Sequence, residues 1–371
     1  MFRFMTRSFW LILLIGLAVI STKCKSDPSP RVYQGTIYYG DNEGLWKMTL
    51  PDGKPSLLTS MLVIPGIGMS PDQKWLTYYS STLKDNQKTH SSLWVVNTQG
   101  GDPIQVSREV PLVMPVRWKD GWLHYTELSD FQVDPNHASY AAPGHSETYA
   151  FNPETGERRL ESESSPQSTF NSDVCQRRAF APAKYGDVAE RCVDTNGNGF
   201  LRVVKLDGSD PITIPVACGN EAVIWSGDGE WLAFGGNDSQ GAAQVFIWGR
   251  RNESVKQITG RDVQEEFFFT APSWSPDSRW LVFQTRRADL CVFEVDKDDL
   301  QCFEDYVSHY GAMPAWSPDS HAIILPSNRI SELLMEDTDL MTDLFIIRIP
   351  GGDVIRVTDN SKEEFWPIWT R

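Results

Sequence analysis

The phrase Trp-Ser-Pro-Asp-Ser occurs twice, at Trp274–Ser278 and again at Trp316–Ser320. Close relatives of it open other segments of the chain. "PGIGMSPDQKWLTYYS" ends at Ser80, "MPVRWKDGWLHYT" at Thr126, "AVIWSGDGEWLAFGG" at Gly236, "APSWSPDSRWLVFQT" at Thr285 and "AMPAWSPDSHAIILPS" at Ser327. Each reads as a short apolar strand, a tight polar turn and an alternating apolar strand. A third strand follows in each ("LWVVN" from Leu93, "TYAFN" from Thr148, "QVFIW" from Gln244, "CVFEV" from Cys291, "LFIIR" from Leu344), then a Gly- or Asp-bearing turn and a fourth strand. Strands of four to six residues between polar turns make the chain all-β. Trp225 to Trp274 spans 49 residues, Trp274 to Trp316 spans 42, and Trp316 to Trp369 spans 53. A four-stranded unit recurring at such a period is a β-propeller blade. Trp118 to Trp225 spans 107 residues, which leaves room for one degenerate unit with Phe180 at the tryptophan position.

The two ends of the chain complete the count. "EFWPIWTR" supplies a first strand with nothing after it, while "GTIYYG", "LWKMTL" and "PSLLT" supply second, third and fourth strands with no first. The expected fold is therefore seven four-stranded blades, with the ring closed by the C-terminal strand in the N-terminal blade. The repeat resembles the TolB-type propeller, whose mark is a "WSPDG" turn. That resemblance implies the fold family only, because TolB carries an α/β domain before six blades and this chain does not fit that layout.

The repetition changes how the serines and aspartates are read. Ser275 and Asp277, or Ser317 and Asp319, look like a catalytic pair in isolation. Stamped around a ring, they are turn formers: proline fixes φ for the turn, and the two side chains hydrogen-bond nearby backbone groups. Trp225, Trp274, Trp316 and Trp369 are then wedges between neighbouring blades. Pro272, Pro314 and Pro367 are expected inside first strands, on an unpaired inner edge.

Residues 1–23 read as a signal peptide. Arg3 and Arg7 precede an unbroken apolar run from Phe9 to Ile20, too short for a comfortable membrane span. Cys24 then opens a polar linker, 24–31, ahead of one propeller domain over 32–371. The segment is similar to a bacterial lipoprotein signal, in which the cysteine is acylated, although Lys23 stands where a small residue is usual. Ordinary cleavage near Ser21 and an uncleaved anchor are the alternatives. Each places the domain outside the cytoplasm, periplasmic or at the cell surface, and lipidation of Cys24 would supply a membrane tether.

Export permits disulfides. Cys291 and Cys302 flank a short turn and can face each other across a hairpin. Cys175, Cys192 and Cys218 cannot all pair among themselves.

The formal net charge is −15, and residues 1–23 carry three cations and no acid, so the remainder carries −18. Nucleic-acid binding requires the opposite sign. By the expected boundaries, the second-to-third loops sum to about −8 and the blade connections to about −9, which would put nearly all the charge on one face. The long stretches expected as loops on that face are Ser81–Ser91, Glu127–Ser146 and Asn328–Thr342. His137, His145 and His309 also map there. "DTNGNG" places Asp194, Asn196 and Asn198 as the first half of a calcium loop, but Lys205 stands where a bidentate glutamate would complete it. A plain Asn-Gly hairpin is the alternative, and no other cofactor is indicated. Two functions follow: a non-catalytic, monomeric envelope propeller binding a protein or cell-wall-associated partner through its acidic loop face, or a metal-dependent carbohydrate lyase or hydrolase with a pocket on that face.

Overall fold

In a computed structural model the chain is described over residues 32–61, 63–84, 88–110, 116–129, 145–164, 174–182, 185–194, 197–205, 209–217, 223–260, 272–284, 289–304, 313–328, 342–360 and 362–371. Residues 34–371 form one compact unit. It is all-β, with seven four-stranded antiparallel sheets arranged as a seven-bladed propeller.

Blade 1 combines the strands Gly35–Asp41, Gly44–Leu50 and Ser56–Thr59 with the C-terminal strand Phe365–Thr370. Blades 2 to 7 begin at Val63, Arg117, Val174, Val223, Ser273 and Ala315 respectively. The closure is a real ladder: Ile37 pairs with Trp369, Tyr38 with Ile368 and Thr36 with Thr370. Blade 4 is the degenerate unit, and Phe180 ends its first strand, Val174–Phe180.

The core lies between blades, as the alternation of each strand requires. Trp225 packs with Ala189 and Leu201 of blade 4 and Leu232 of its own blade. Trp274 packs with Ala233, Val245 and Ile247 of blade 5 and Leu281 of blade 6. Trp316 packs with Val282, Leu290 and Val292 of blade 6 and Ile323 of blade 7. All three side chains are buried, as is that of Trp369. The wedge is also polar at its tip: Trp274 Nε1 donates to the Ile224 carbonyl at 3.2 Å, and Trp316 Nε1 donates to the Ser273 carbonyl at 3.0 Å. Each indole therefore reaches the residue just before the preceding blade's tryptophan.

Three expectations about strand extents need correction. The stretch Ser81–Ser91 is largely strand, because Trp75–Lys84 and Lys88–Asn97 run on in register to Lys84↔Lys88. Pro272 and Pro314 stand immediately before the first strands Ser273–Trp274 and Ala315–Trp316 rather than inside them. With no N–H to donate, proline ends the ladder there. Pro367 does lie within its strand, at a break in the register between Tyr38 and Gly40 where Trp366 adopts φ 48°.

Cys291 and Cys302 are register partners on adjacent strands of blade 6 and are disulfide-bonded. Cys192 is also disulfide-bonded, and its register partner is Cys175.

Candidate functional site

The strand order separates the unit into two ends. First-to-second and third-to-fourth turns share one end of every antiparallel blade. Second-to-third turns and blade-to-blade connections share the other.

The first end carries the repeated turn. In four blades the serine hydroxyl donates to the aspartate two residues on: Ser70 to Asp72 at 2.6 Å, Ser226 to Asp228 at 2.6 Å, Ser275 to Asp277 at 2.5 Å and Ser317 to Asp319 at 2.6 Å. The same hydroxyl accepts the backbone N–H five residues on, from Trp75, Trp231, Trp280 and Ala322. The aspartate in turn accepts the N–H of Lys74, Glu230, Arg279 and His321. The fourth position has φ near +60°, occupied by Gln73, Gly229, Ser278 and Ser320. Serine there is strained, yet it has a use. Ser278 Oγ accepts Asp228 N of the preceding blade at 3.0 Å, and Ser320 Oγ accepts Asp277 N at 3.0 Å. Side chains that would be nucleophile and base in a catalytic site are thus committed to closing turns and linking blades.

This end also holds a pocket of about 330 Å³ lined by Glu230, Trp231, Arg250, Arg251 and Asp296, a feature the sequence did not indicate. Its walls are tied to one another. Tyr185 donates to Glu230 Oε1 at 2.5 Å and holds that carboxyl below the ordinary range, while Arg251 contacts the other oxygen at 3.2 Å. Arg250 pairs with Asp187, donates to the Gly229 carbonyl and lies over the Tyr185 ring at 4.0 Å.

The second end gathers carboxylates where blade 7 meets blade 1. Asp41 and Glu43 bracket the second-to-third turn of blade 1, and Asp343 opens the third strand of blade 7. Asp359 and Glu364 lie on the connection between the two blades. Glu364 is 1% exposed. Its side chain accepts from Thr358 Oγ1, from Asn360 Nδ2 at 2.7 Å and from Leu344 N at 3.2 Å. Thr342 Oγ1 donates to the Glu364 carbonyl at 2.7 Å. Those donors favour the carboxylate, but loss of water outweighs them and Asp343 adds repulsion, so the group titrates at about 7. Burial likewise raises Asp343, against the pull of Arg356, which it contacts at 2.5 Å. Burial, Glu364 and Asp41 together push the Tyr39 hydroxyl up. Lys362 stands beside Asp41 and Glu43 at 3.4 Å and 2.5 Å.

Not every expected site residue is placed. Cys24 and the whole of 1–31, His137, His309, Cys218 and Asn196 lie outside the described residues, as do 130–144 and 329–341. His145 opens the third strand of blade 3. Asp194 and Asn198 close a tight turn: Asp194 Oδ1 accepts Asn198 N at 2.8 Å and Oδ2 accepts Asn198 Nδ2 at 2.9 Å. Asn198 therefore presents its amide nitrogen to Asp194. Among the described residues, no three His, Cys, Asp or Glu side chains are grouped to hold a metal ion.

No family model matches the sequence, and no curated protein matches it. Solved structures do. A Bacteroides fragilis protein provisionally described as a 6-phosphogluconolactonase is similar with 11% identity and a TM-score of 0.53, over 93% of this chain and 100% of that one. An oligogalacturonate lyase in complex with manganese is similar with 14% identity and a TM-score of 0.50, over 76% of this chain and 79% of that one. TolB from Acinetobacter baumannii aligns with 13% identity and a TM-score of 0.47, over 92% of this chain and 67% of that one. At such identities the likeness is one of fold alone.

Proposed function

We propose that this chain is an exported binding propeller that engages a protein or cell-wall-associated partner through the acidic end where its second-to-third turns and blade connections meet. One observation carries the reading, the gathering of five carboxylates, Asp41, Glu43, Asp343, Asp359 and Glu364, where blade 7 meets blade 1. At the repeated turns the Ser and Asp groups are spent on backbone and on neighbouring blades. At the opposite end Glu43 and Asp359 are exposed, each paired with one cation, Lys362 and Arg356, and share the blade junction with the buried acids Asp41, Asp343 and Glu364. A rigid ring holding variable, negatively charged connections attracts basic groups. Residues 1–23 support export, and acylation of Cys24 would tether the domain at a membrane. A metal-dependent carbohydrate enzyme is the less favoured reading, since a shared fold supplies no chemistry of its own.

The test is affinity capture from an envelope extract with three forms of the protein: wild type, E43Q/D359N at the acidic end and R251Q/D296N at the repeated-turn end. Loss of a captured partner with the first variant and retention with the second supports the reading. The reverse pattern moves the binding surface to the other end.

A further inference from the structure

Lys362 is held in a way that a simple surface ion pair does not require. Its ammonium lies 4.4 Å from the centre of the Trp46 ring, 3.4 Å from Asp41 Oδ2 and 2.5 Å from Glu43 Oε2. The lysine comes from the connection between blades 7 and 1. All three walls come from one hairpin of blade 1, in which Asp41 pairs with Gly44 and Tyr39 with Trp46.

The walls are rigid where it matters. Asp41 is 2% exposed on its side chain, and its Oδ1 is already fixed by the N–H groups of Glu43 and Gly44 at 2.7 and 2.8 Å. Only Oδ2 is offered inward. Trp46 is set in the ladder, between Tyr39 and Leu57. Glu43 is the open wall, and the Lys362 side chain itself is 29% exposed. An aromatic face and two carboxylates around a cation is the arrangement that recognises ammonium groups. One inward oxygen from each acid suits a compact point charge with rotatable donors better than the planar fork of an arginine.

We propose that Trp46, Asp41 and Glu43 form a lysine-recognition site on the acidic end of the ring, kept closed by the chain's own Lys362, which a lysine of the binding partner displaces. The proposal rests on the binding function above and names the partner's chemistry. Lys362 is anchored on both sides: Asn360 Oδ1 accepts its N–H at 2.9 Å, and Glu364, two residues on, is fixed to blade 7. Opening therefore needs only a side-chain swing. A tethered competitor lowers apparent affinity by the fraction of sites left open. If Lys362 fills the site nine-tenths of the time or more, its removal raises affinity at least about tenfold.

The experiment is fluorescence anisotropy of a labelled peptide of alternating lysine and glycine, at fixed ionic strength, with the full chain. K362M is expected to bind at least tenfold more tightly than wild type. Adding E43Q to K362M should return affinity to the wild-type level or below, whereas D359N in the same background, which removes a charge from the same end but outside the cage, should change it about twofold. Acetylated peptide should bind neither protein, and an arginine peptide should gain less from K362M. K362Q serves in place of K362M if the latter melts abnormally. Unchanged affinity in K362M, or equal losses from E43Q and D359N, overturns the cage. Equal losses would still leave the acidic end as the binding surface. If the peptide binds no form at all, the cage is wrong, and the capture experiment decides the wider reading independently.

Discussion

Replacing Glu364 by glutamine is expected to change how stability depends on pH more than how stable the protein is at any one pH. The carboxyl titrates near 4.5 when solvated and at about 7 in the fold, chiefly because it is buried. The folded state thus holds its proton more tightly than the unfolded chain. Stability from the neutral carboxyl is fully present below pH 4.5 and is lost as pH rises through 7. Each pH unit of displacement corresponds to 1.36 kcal/mol, so the loss amounts to about 3 kcal/mol across that window. For a ring of this size that is roughly 4–5 °C in Tm. Glutamine cannot titrate and is close to isosteric, though its amide must replace one accepted hydrogen bond. Asp343 and Tyr39 are electrostatically coupled to Glu364 and keep their side chains in the variant, losing only its charge. The assay is therefore a difference: Tm of wild type minus Tm of E364Q at pH 5, 6, 7 and 8. The difference should fall monotonically by about 4 °C from pH 5 to pH 8. Parallel curves would refute the burial argument, and a difference that rises with pH would show that the three donors, not lost hydration, dominate.

Other substitutions test the scaffold. S278G relieves the strain of φ 61° while S278A keeps it, and both remove the bond to Asp228 N, so S278A should be less stable than S278G by about 1 kcal/mol in urea unfolding. W316A empties a buried inter-blade site and should cost about 3–5 kcal/mol, whereas W316F, which loses chiefly the bond to the Ser273 carbonyl, should cost much less; equal losses would contradict the wedge. Removal of the Cys291–Cys302 bridge, whose cysteines are 11 apart in sequence, should lower stability by about 3 kcal/mol, read as a lower Tm for C291A/C302A than for wild type under oxidising conditions. The Asp194 turn is closed by Asn198, so Tm should be the same in calcium and in chelator; a rise with calcium would mean that the turn opens to bind the ion.

The ring was legible because its information is local and repeated. The spacing of the tryptophans and the turn beside each one give blade number, and the orphan strand "FWPIWT" gives closure. Ser81–Ser91 was misread because a polar run of serine and threonine shows no apolar alternation, while its pairing depends on the facing strand. The links from Ser278 and Ser320 to the preceding blade were invisible for a similar reason: each joins residues more than 40 apart. Both serines stand where "WSPDG" has glycine, and that departure was the available signal. Glu364 was also missed as an individual residue. "EEF" recurs at Glu265–Phe267 and Glu363–Phe365, each preceded by a threonine two residues past a fourth strand, Thr259 and Thr358. That recurrence marked a position in the blade, but burial of the carboxyl follows only from the packing of blade 7 against the closing strand. The Lys362 cage joins residues 319 apart and had no sequence signal.

The proposed function makes one end of the ring scaffold and the other the binding surface. Hydrogen exchange of the full chain, free and in complex with its captured partner, measures this most directly. Protection should fall on the turn at Asp41–Gly44, the start of the strand Asp343–Arg348 and the connection through Asp359, Asn360 and Lys362. The turns at Ser226–Trp231, Ser275–Trp280 and Ser317–Ala322 should exchange at the same rate in both states. Protection at those turns, with the acidic end unchanged, would contradict the account.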